Sequence, residues 1–92
     1  MEFEWDPAKA ASNLSKHGVD FDDAIAVFED PLAVTIRDPR EYGDETRYQA
    51  VGAVEGVILF VSFTLRDGVY RIINARRASR RERRAYTLQA RN

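Results

Sequence analysis

Residues 69–86 read VYRIINARRASRRERRAY. The first half is a short run of branched and aromatic residues, which predicts a β-strand. Ser79 followed by Glu82 has the spacing of a capping box, in which each side chain binds a backbone N–H at the start of a helix. Arg76 and Arg77 are therefore expected where a strand leads into a helix N-terminus, a place that favours a bound anion. We interpret the remainder of the chain as the scaffold that holds this corner.

The length and composition favour one compact domain over residues 1–92. The chain has 92 residues and is 45% apolar, enough for helices packed on one sheet and too short for two domains. It has no cysteine, so neither a disulfide framework nor a thiolate zinc site is expected. No apolar run reaches membrane-spanning length and the first residues lack a signal-peptide pattern, so we expect a cytoplasmic location without membrane association.

The net charge of −1 conceals a strong asymmetry between the two halves of the chain. Residues 1–45 contain twelve acidic and four basic residues, whereas residues 46–92 contain ten arginines and three acidic residues. The second half therefore suggests a surface that binds a polyanion, the interpretation we favour. The alternative is that the two sets of charges pair with each other or cover opposite solvated faces.

Helix signals dominate the first third of the chain. Residues 3–5 alternate as in a short half-buried strand. Asp6 is a predicted N-cap for a helix over residues 7–17, which Gly18 ends as a left-handed C-cap. A second helix is predicted from Asp20 to Asp30. Its apolar stripe consists of Phe21, Ala24, Ile25 and Phe28.

Strand signals dominate the rest. We predict strands over residues 32–37, 46–54, 57–65 and 69–76, with a polar loop over residues 38–45. Tight turns join the last three strands, at Glu55-Gly56 and Asp67-Gly68. The predicted fold class is α+β, with two N-terminal helices packed on an antiparallel sheet of four to five strands and a C-terminal helix.

Alternation along the strands predicts which side chains share a face of this sheet. In the strand over residues 57–65, the row expected to face the helices is Val57, Leu59, Val61, Phe63 and Leu65. By the same parity, the inward residues of the neighbouring strands are Tyr48, Ala50, Val54, Val69, Ile73 and Ala75. The open face collects Arg47, Gln49, Ser62, Thr64, Arg66, Asn74 and Arg76, with Ile58, Phe60 and Ile72 as stacking or packing surface. Arg71 falls on the inward row, and we assign it to a strand end or sheet edge.

Several motifs occur together along the chain. They are Trp5-Asp6, Lys9, Asn13, Lys16-His17-Gly18-Val19, Phe21, Ala24, Phe28-Glu29-Asp30-Pro31, Arg47, Gly52, Arg71-Ile72-Ile73, Ala75-Arg76 and Ala78-Ser79-Arg80-Arg81-Glu82-Arg83. In this combination they resemble the BrnT toxins of bacterial type II toxin–antitoxin pairs, over nearly the whole chain. The resemblance implies a RelE-like fold, an endoribonuclease that arrests translation, and inhibition by a BrnA-like antitoxin that also binds the operon's DNA. We expect that antitoxin to be dimeric.

Metal-free RNA cleavage requires a base for the 2′-hydroxyl, stabilisation of the charged phosphorane and an acid for the 5′-oxygen. Arg76 and Arg47 are the predicted stabilisers, because a guanidinium binds two phosphate oxygens at once and stays charged. Their alternative role is surface pairing with the acidic loop over residues 38–45. His17 is the only histidine and suits proton transfer near neutrality, unless it only caps helix carbonyls. Lys16 is a candidate for contacting phosphate or for the acid role.

The other arginines are predicted to bind RNA, those at positions 80, 81, 83 and 84 by forming an electrostatic funnel, with a solvated charged helix as the alternative. They are Arg66, Arg77, Arg80, Arg81, Arg83 and Arg84. Glu82 is expected mainly to cap the helix, with a role as base as the alternative, and Tyr86 to pack on the sheet or line the site. We expect no metal site and no other cofactor. The alternative function is a non-catalytic module that binds nucleic acid or protein through its basic tail.

Overall fold

A computed structural model describes residues 1–91. The elements are β1 (Phe3–Glu4), α1 (Pro7–His17), α2 (Phe21–Ala24), a 3₁₀ helix (Ile25–Glu29), β2 (Val34–Arg37), β3 (Arg47–Val54), β4 (Val57–Arg66), β5 (Val69–Arg77) and α3 (Arg80–Ala90). Their strands form one sheet in the order β1-β5-β4-β3-β2. The α+β class is confirmed, but the sheet is mixed, because β1 pairs in parallel with β5 while the other pairs are antiparallel.

The ends of α1 follow from local chemistry. Asp6 accepts a hydrogen bond from the Ala8 N–H at 2.8 Å. Gly18 has a left-handed φ of 70° and donates its N–H to the Leu14 carbonyl at 2.8 Å. Both caps are therefore confirmed, and they set where the chain leaves the helix.

The second predicted helix changes its winding part-way. It is α-helical only in α2 and continues as the 3₁₀ helix, so the continuous helix predicted from Asp20 to Asp30 was wrong in this detail. Phe21 and Ala24 are fully buried, as the stripe predicted, but Val27 is fully buried as well. Val27 packs against Gly52, where an added Cβ would lie 2.9 Å from Val27 Cγ1. Gly52 is therefore needed for the close approach of this helix to β3.

The main core lies between the sheet and these helices. It consists of Val19, Phe21, Ala24, Val27, Ala50, Leu59, Val61, Phe63, Ile72 and Ala75. Tyr48 and Val54 pack against it as predicted. The two ends of the predicted apolar row of β4 are exposed, since Val57 is 36% and Leu65 is 44% accessible to solvent. The helices thus cover the middle of the sheet.

A β-bulge in β5 changes which residues face the core. Ser62 lies opposite Asn74, but the next residue, Phe63, lies opposite Ile72, so Ile73 is the extra residue. Ile72 is consequently in the core at 2% exposure, whereas Ile73 lies on the open face. The predicted orientations of both isoleucines were wrong, because the bulge reverses the parity of the strand.

The same bulge explains two other residues of β5. Arg71 lies opposite Thr64, outside the core, and forms an ion pair with Glu4 of β1 at 3.6 Å. Val69 lies opposite Arg66 and shares the face of Arg71, so its predicted inward orientation was wrong. The basic side chain at position 71 therefore causes no conflict with the core.

One side chain completes the outer edge of β5, because β1 pairs only with its first residues. The buried Asn13 accepts a hydrogen bond from the Ala75 N–H at 3.1 Å and donates to the Ala75 carbonyl at 2.7 Å. Its amide also donates to the Val19 carbonyl at 3.0 Å. These bonds fix the backbone of β5 one residue before Arg76.

Candidate active site

A groove of about 420 Å³ crosses the open face of the sheet. It is lined by Arg40, Tyr42, Arg47, Gln49, Phe60, Ser62, Ile73, Asn74, Arg76 and Glu82. These residues come from β3, β4, β5, the loop before β3 and the first turn of α3. The two arginines predicted to stabilise a phosphorane, Arg47 and Arg76, therefore line one groove.

Arg76 is fixed at one end of the groove by a carboxylate and an aromatic ring. Its two Nη atoms donate to the two oxygens of Glu82 at 2.8 and 2.9 Å. The guanidinium carbon lies 4.0 Å from the ring centroid of Phe60, a cation–π contact. Phe60 is only 8% exposed, because Arg76 lies over this ring. The open face thus has a small apolar floor at this end.

Glu82 has two roles at the start of α3. It accepts a hydrogen bond from the Ser79 N–H at 2.8 Å, and its own N–H donates to Ser79 Oγ at 3.2 Å, so the capping box is confirmed. Burial opposes its charged form, but the hydrogen bonds from Arg76 and Ser79 outweigh this and lower the pKa of Glu82. An ionised carboxylate therefore lies beside Arg76 at neutral pH.

Arg47 is held in a similar way at the other end of the groove. Its Nε donates to Glu45 at 2.9 Å, and its guanidinium carbon lies 4.0 Å from the ring centroid of Tyr42. Arg66 donates to the other oxygen of Glu45 at 3.1 Å. Hydrogen bonds from Arg47 and Arg66 lower the pKa of Glu45. The alternative of pairing with the acidic loop is thus observed for Arg47, whereas Arg76 pairs with Glu82 outside that loop.

Asp38 holds the loop that supplies Tyr42. It is 3% exposed and accepts bonds from the Arg40 backbone at 3.0 Å, the Arg40 side chain at 2.9 and 3.1 Å, and the Tyr42 hydroxyl at 2.8 Å. The hydrogen bonds from Arg40 hold the pKa of Asp38 well below its usual range. Burial, together with the bond to Asp38, raises the pKa of Tyr42. The tyrosine ring is therefore neutral and fixed beside Arg47.

Tyr86 positions α3 from its opposite side. It is buried, and its hydroxyl donates to Asp30 at 2.5 Å. Asp30 also accepts from the backbone N–H groups of Ala53 at 2.8 Å and Leu32 at 2.9 Å. Burial disfavours the charged carboxylate, but these three bonds lower the pKa of Asp30. The hydrogen bond to Asp30, together with burial, raises the pKa of Tyr86. Tyr86 thus packs as predicted and anchors the helix that supplies Glu82.

Residues 5–82 match a family model described as ribonuclease toxin, BrnT, of type II toxin-antitoxin system. The chain belongs to the BrnT family. A comparison with curated proteins gives no significant match. The matched range includes Arg47, Arg76 and Glu82 and ends in the first turn of α3. Membership makes the chain a ribonuclease toxin of a type II system, which acts with an antitoxin partner.

The remaining predicted site residues of this BrnT toxin lie outside the groove. Lys16 and His17 are exposed at the end of α1 and do not line it. Arg77 is exposed and lines a separate depression next to Gly18. The arginines of α3 are all exposed, at Arg80, Arg81, Arg83 and Arg84. Arg83 already uses one of its donor groups, because its Nη1 donates to the Ala78 carbonyl at 2.8 Å.

Two predicted open-face side chains are less open than their parity suggested. Thr64 is 2% exposed and donates its hydroxyl to the Thr46 carbonyl at 2.6 Å. Phe60 is covered by Arg76, as described. The uncharged polar side chains of the sheet that line the groove are consequently Gln49, Ser62 and Asn74.

Sequence reasoning missed the contributions of Tyr42 and Arg40, because it considered residues 38–45 only as an acidic loop available for pairing with arginines. An available signal was an aromatic residue flanked by arginines at positions 40 and 47, a pattern suited to cation–π contacts. Among residues 1–91, no group of three metal-ligating side chains lies close enough to hold a metal ion. In the same part of the chain, no helix has the length and apolar character of a membrane span.

Proposed function

We propose that this BrnT toxin is a metal-independent endoribonuclease that cleaves RNA in the cytoplasm and thereby arrests translation. One observation carries the proposal: Arg47 and Arg76 line the same groove, and each is bound to a carboxylate. A carboxylate and a phosphate present similar pairs of oxygens to a guanidinium. Glu45 and Glu82 therefore occupy the positions that phosphate oxygens take when RNA enters.

The groove supplies charge stabilisation at the reacting phosphate. Arg76 lies beside the N-terminus of α3, so its guanidinium and the positive end of the helix act on one phosphate together. Arg47 binds a neighbouring phosphate or the same one from the other end. These fixed cations take the part that a metal ion plays in other nucleases, as electrostatic stabilisers of the phosphorane.

Glu82 is our candidate for the base. It is the one carboxylate among the residues described that lines the groove, and its lowered pKa keeps it ionised. When Arg76 turns to the phosphate, Glu82 is released to accept the proton of the 2′-hydroxyl. Lys16 and His17 remain predictions for the acid, and they require RNA that extends past the end of α1.

The first experiment incubates the purified chain with RNA in the presence of EDTA. We expect fragments that end in 2′,3′-cyclic phosphate, and inhibition of a cell-free translation reaction. Glu82→Gln keeps the size of the side chain but removes the base, and should slow cleavage by about 10²–10⁴-fold. Arg37→Ala is the matched control, since Arg37 is exposed on β2 outside the groove. RNA that shifts in mobility without fragments would instead favour the non-catalytic binding module.

The second experiment concerns the partner. We propose a BrnA-like antitoxin, dimeric and DNA-binding, with an acidic or apolar segment that covers Arg47 and Arg76. Affinity capture after co-expression should recover the complex, and the complex should leave RNA intact. Recovery of free, non-toxic chain at full yield, with no co-purifying protein, would contradict both the inhibitor and the toxicity.

A further inference from the structure

The floor of the groove contains a row of polar side chains whose role the charge chemistry leaves open. Gln49, Ser62 and Asn74 lie in register on β3, β4 and β5, with Gln49 opposite Ser62 and Ser62 opposite Asn74. Arg47 precedes Gln49 by two residues, and Arg76 follows Asn74 by two, each about 7 Å along its strand. The row therefore lies between the two phosphate-binding arginines.

Asn74 has an unmet hydrogen-bonding requirement. Within residues 1–91, its Oδ1 is the one buried side-chain oxygen or nitrogen without a hydrogen-bond partner. An acceptor that is buried and unpaired destabilises a protein by its full desolvation penalty. The side chain as a whole is only half-buried and lines the groove. Because the χ2 torsion of asparagine is soft, a small rotation turns this amide towards a ligand in the groove.

The bulge gives Asn74 an apolar neighbour on the open face. Ile73 is the extra residue of β5, and both Ile73 and Asn74 line the groove. An apolar side chain and an amide thus adjoin on the same surface. A flat ring can lie against the first while its edge meets the second, and a nucleobase has this combination of a π-face and a polar edge.

We propose that the row Gln49, Ser62 and Asn74 binds the edge of one RNA base, and that the base is adenine. A carboxamide oxygen accepts from the exocyclic amine of adenine while its NH₂ donates to the adjacent ring nitrogen. Asn74 supplies this pair, and Gln49 and Ser62 bind the remaining polar atoms of the nucleotide. The proposal rests on the proposed function in one respect, since it takes RNA as the ligand. It adds the identity of the nucleobase that determines where the RNA is cut.

The test separates binding from cleavage. Trinucleotides with 2′-O-methyl groups lack the attacking hydroxyl, so their affinities report base recognition alone. We expect the trinucleotide with central adenine to bind about tenfold more tightly than those with cytosine, guanine or uracil, measured by fluorescence anisotropy. Loss of one bidentate base contact corresponds to roughly a five- to hundredfold loss of discrimination. Asn74→Ala should therefore bind all four trinucleotides with similar affinity.

Two further variants keep the result interpretable. Asn74→Ser retains a small polar side chain in case the alanine variant folds poorly, and it should also lose the adenine preference. Gln89→Ala is the control, since Gln89 is exposed on α3 and lines none of this groove, and it should keep the preference. A preference for another base in the wild type, no preference at all, or an unchanged adenine preference in both Asn74 variants would each overturn the proposal.

Cleavage of ordinary RNA is measured on the same preparations. Wild-type protein that cleaves RNA but does not prefer adenine would overturn base recognition and leave the ribonuclease function intact. Protein that selects adenine without cutting RNA would support base recognition and contradict the proposed function.

Discussion

Arg76 gives the sharpest test of the proposed site, because it lines the groove and also makes structural contacts with Glu82 and Phe60. Arg76→Lys keeps the charge but loses the two parallel bonds that the guanidinium forms. Arg76→Ala removes both. In the transition state, loss of one such charge-assisted donor should reduce the cleavage rate about a hundredfold, equivalent to about 3 kcal/mol. We expect Arg76→Lys to lose most of the activity while RNA affinity changes little.

The structural environment adds a cost in stability. The partly exposed ion pair with Glu82 contributes about 0.5–1 kcal/mol, and the contact with Phe60 about the same. Arg76→Ala should therefore lower the free energy of unfolding by about 1–2 kcal/mol. In a chain of this size, this corresponds to a fall in Tm of about 5–15 °C. The protein should still fold at 25 °C.

The assays are single-turnover cleavage and thermal melting on the same preparations, with Arg37→Ala as the control. Full activity in Arg76→Lys would show that Arg76 acts only as a point charge and would refute the bidentate role. An unchanged Tm in Arg76→Ala would show that the observed contacts with Glu82 and Phe60 contribute nothing to stability.

Three further predictions concern stability. Gly52→Ala should lower the free energy of unfolding by about 1–3 kcal/mol through overpacking. In a denaturation series, the double variant with Val27→Ala should lose less free energy of unfolding than the sum of the two single variants. Tyr86→Phe retains the packing of the ring but removes the hydrogen bond to Asp30, so urea denaturation should show a free energy of unfolding lower by about 1–2 kcal/mol. A decrease smaller than about 0.3 kcal/mol, which is comparable to the experimental error, would contradict the anchoring role. Four carboxylates have pKa values that are lowered in the folded protein: Asp38, Asp30, Glu45 and Glu82. Their contribution to the free energy of unfolding is fully present above the unfolded pKa of about 4 and is lost as the pH falls through the folded values. Tm should therefore be nearly constant from about pH 7 to 5 and should fall below about pH 4. In Asp38→Asn the fall of Tm below about pH 4 should be smaller than in the wild type, because one of these carboxylates is absent.

Features determined by neighbouring residues could be predicted from the sequence. The caps at Asp6 and Gly18 and the capping box of α3 depend on side chains within a few positions of the backbone they bind. The hairpin turns depend on residues that adopt positive φ, as Glu55 and Asp67 do with the glycines after them. Arg47 and Arg76 were correctly predicted on one face of the sheet. The side chains alternate regularly along β3 and along the part of β5 that follows the bulge.

Features that depend on distant contacts could not be predicted in this way. The bulge in β5 reverses the parity of Ile72 and Val69, and strict alternation has no means of representing an extra residue. Arg71 was the visible sign, since an arginine on an inward row is a conflict that a bulge removes. Lys16 and His17 were predicted as proton-transfer groups from their residue types, and neither lines the groove. Glu82, predicted mainly as a cap with a role as base as the alternative, does line it.

The amide of Asn13 has a consequence for the behaviour of the protein in a crowded solution. An exposed strand edge is a template on which a second chain can add a strand and begin aggregation. β1 is too short to cover β5, and Asn13 occupies both the donor and the acceptor of Ala75 that would otherwise be free there. The side chain of Asn13 thus forms, at Ala75, the pair of hydrogen bonds that a residue of a neighbouring strand would otherwise form. Replacing Asn13 would leave the strand edge next to Arg76 unpaired, so we expect loss of the proposed activity and self-association to occur together.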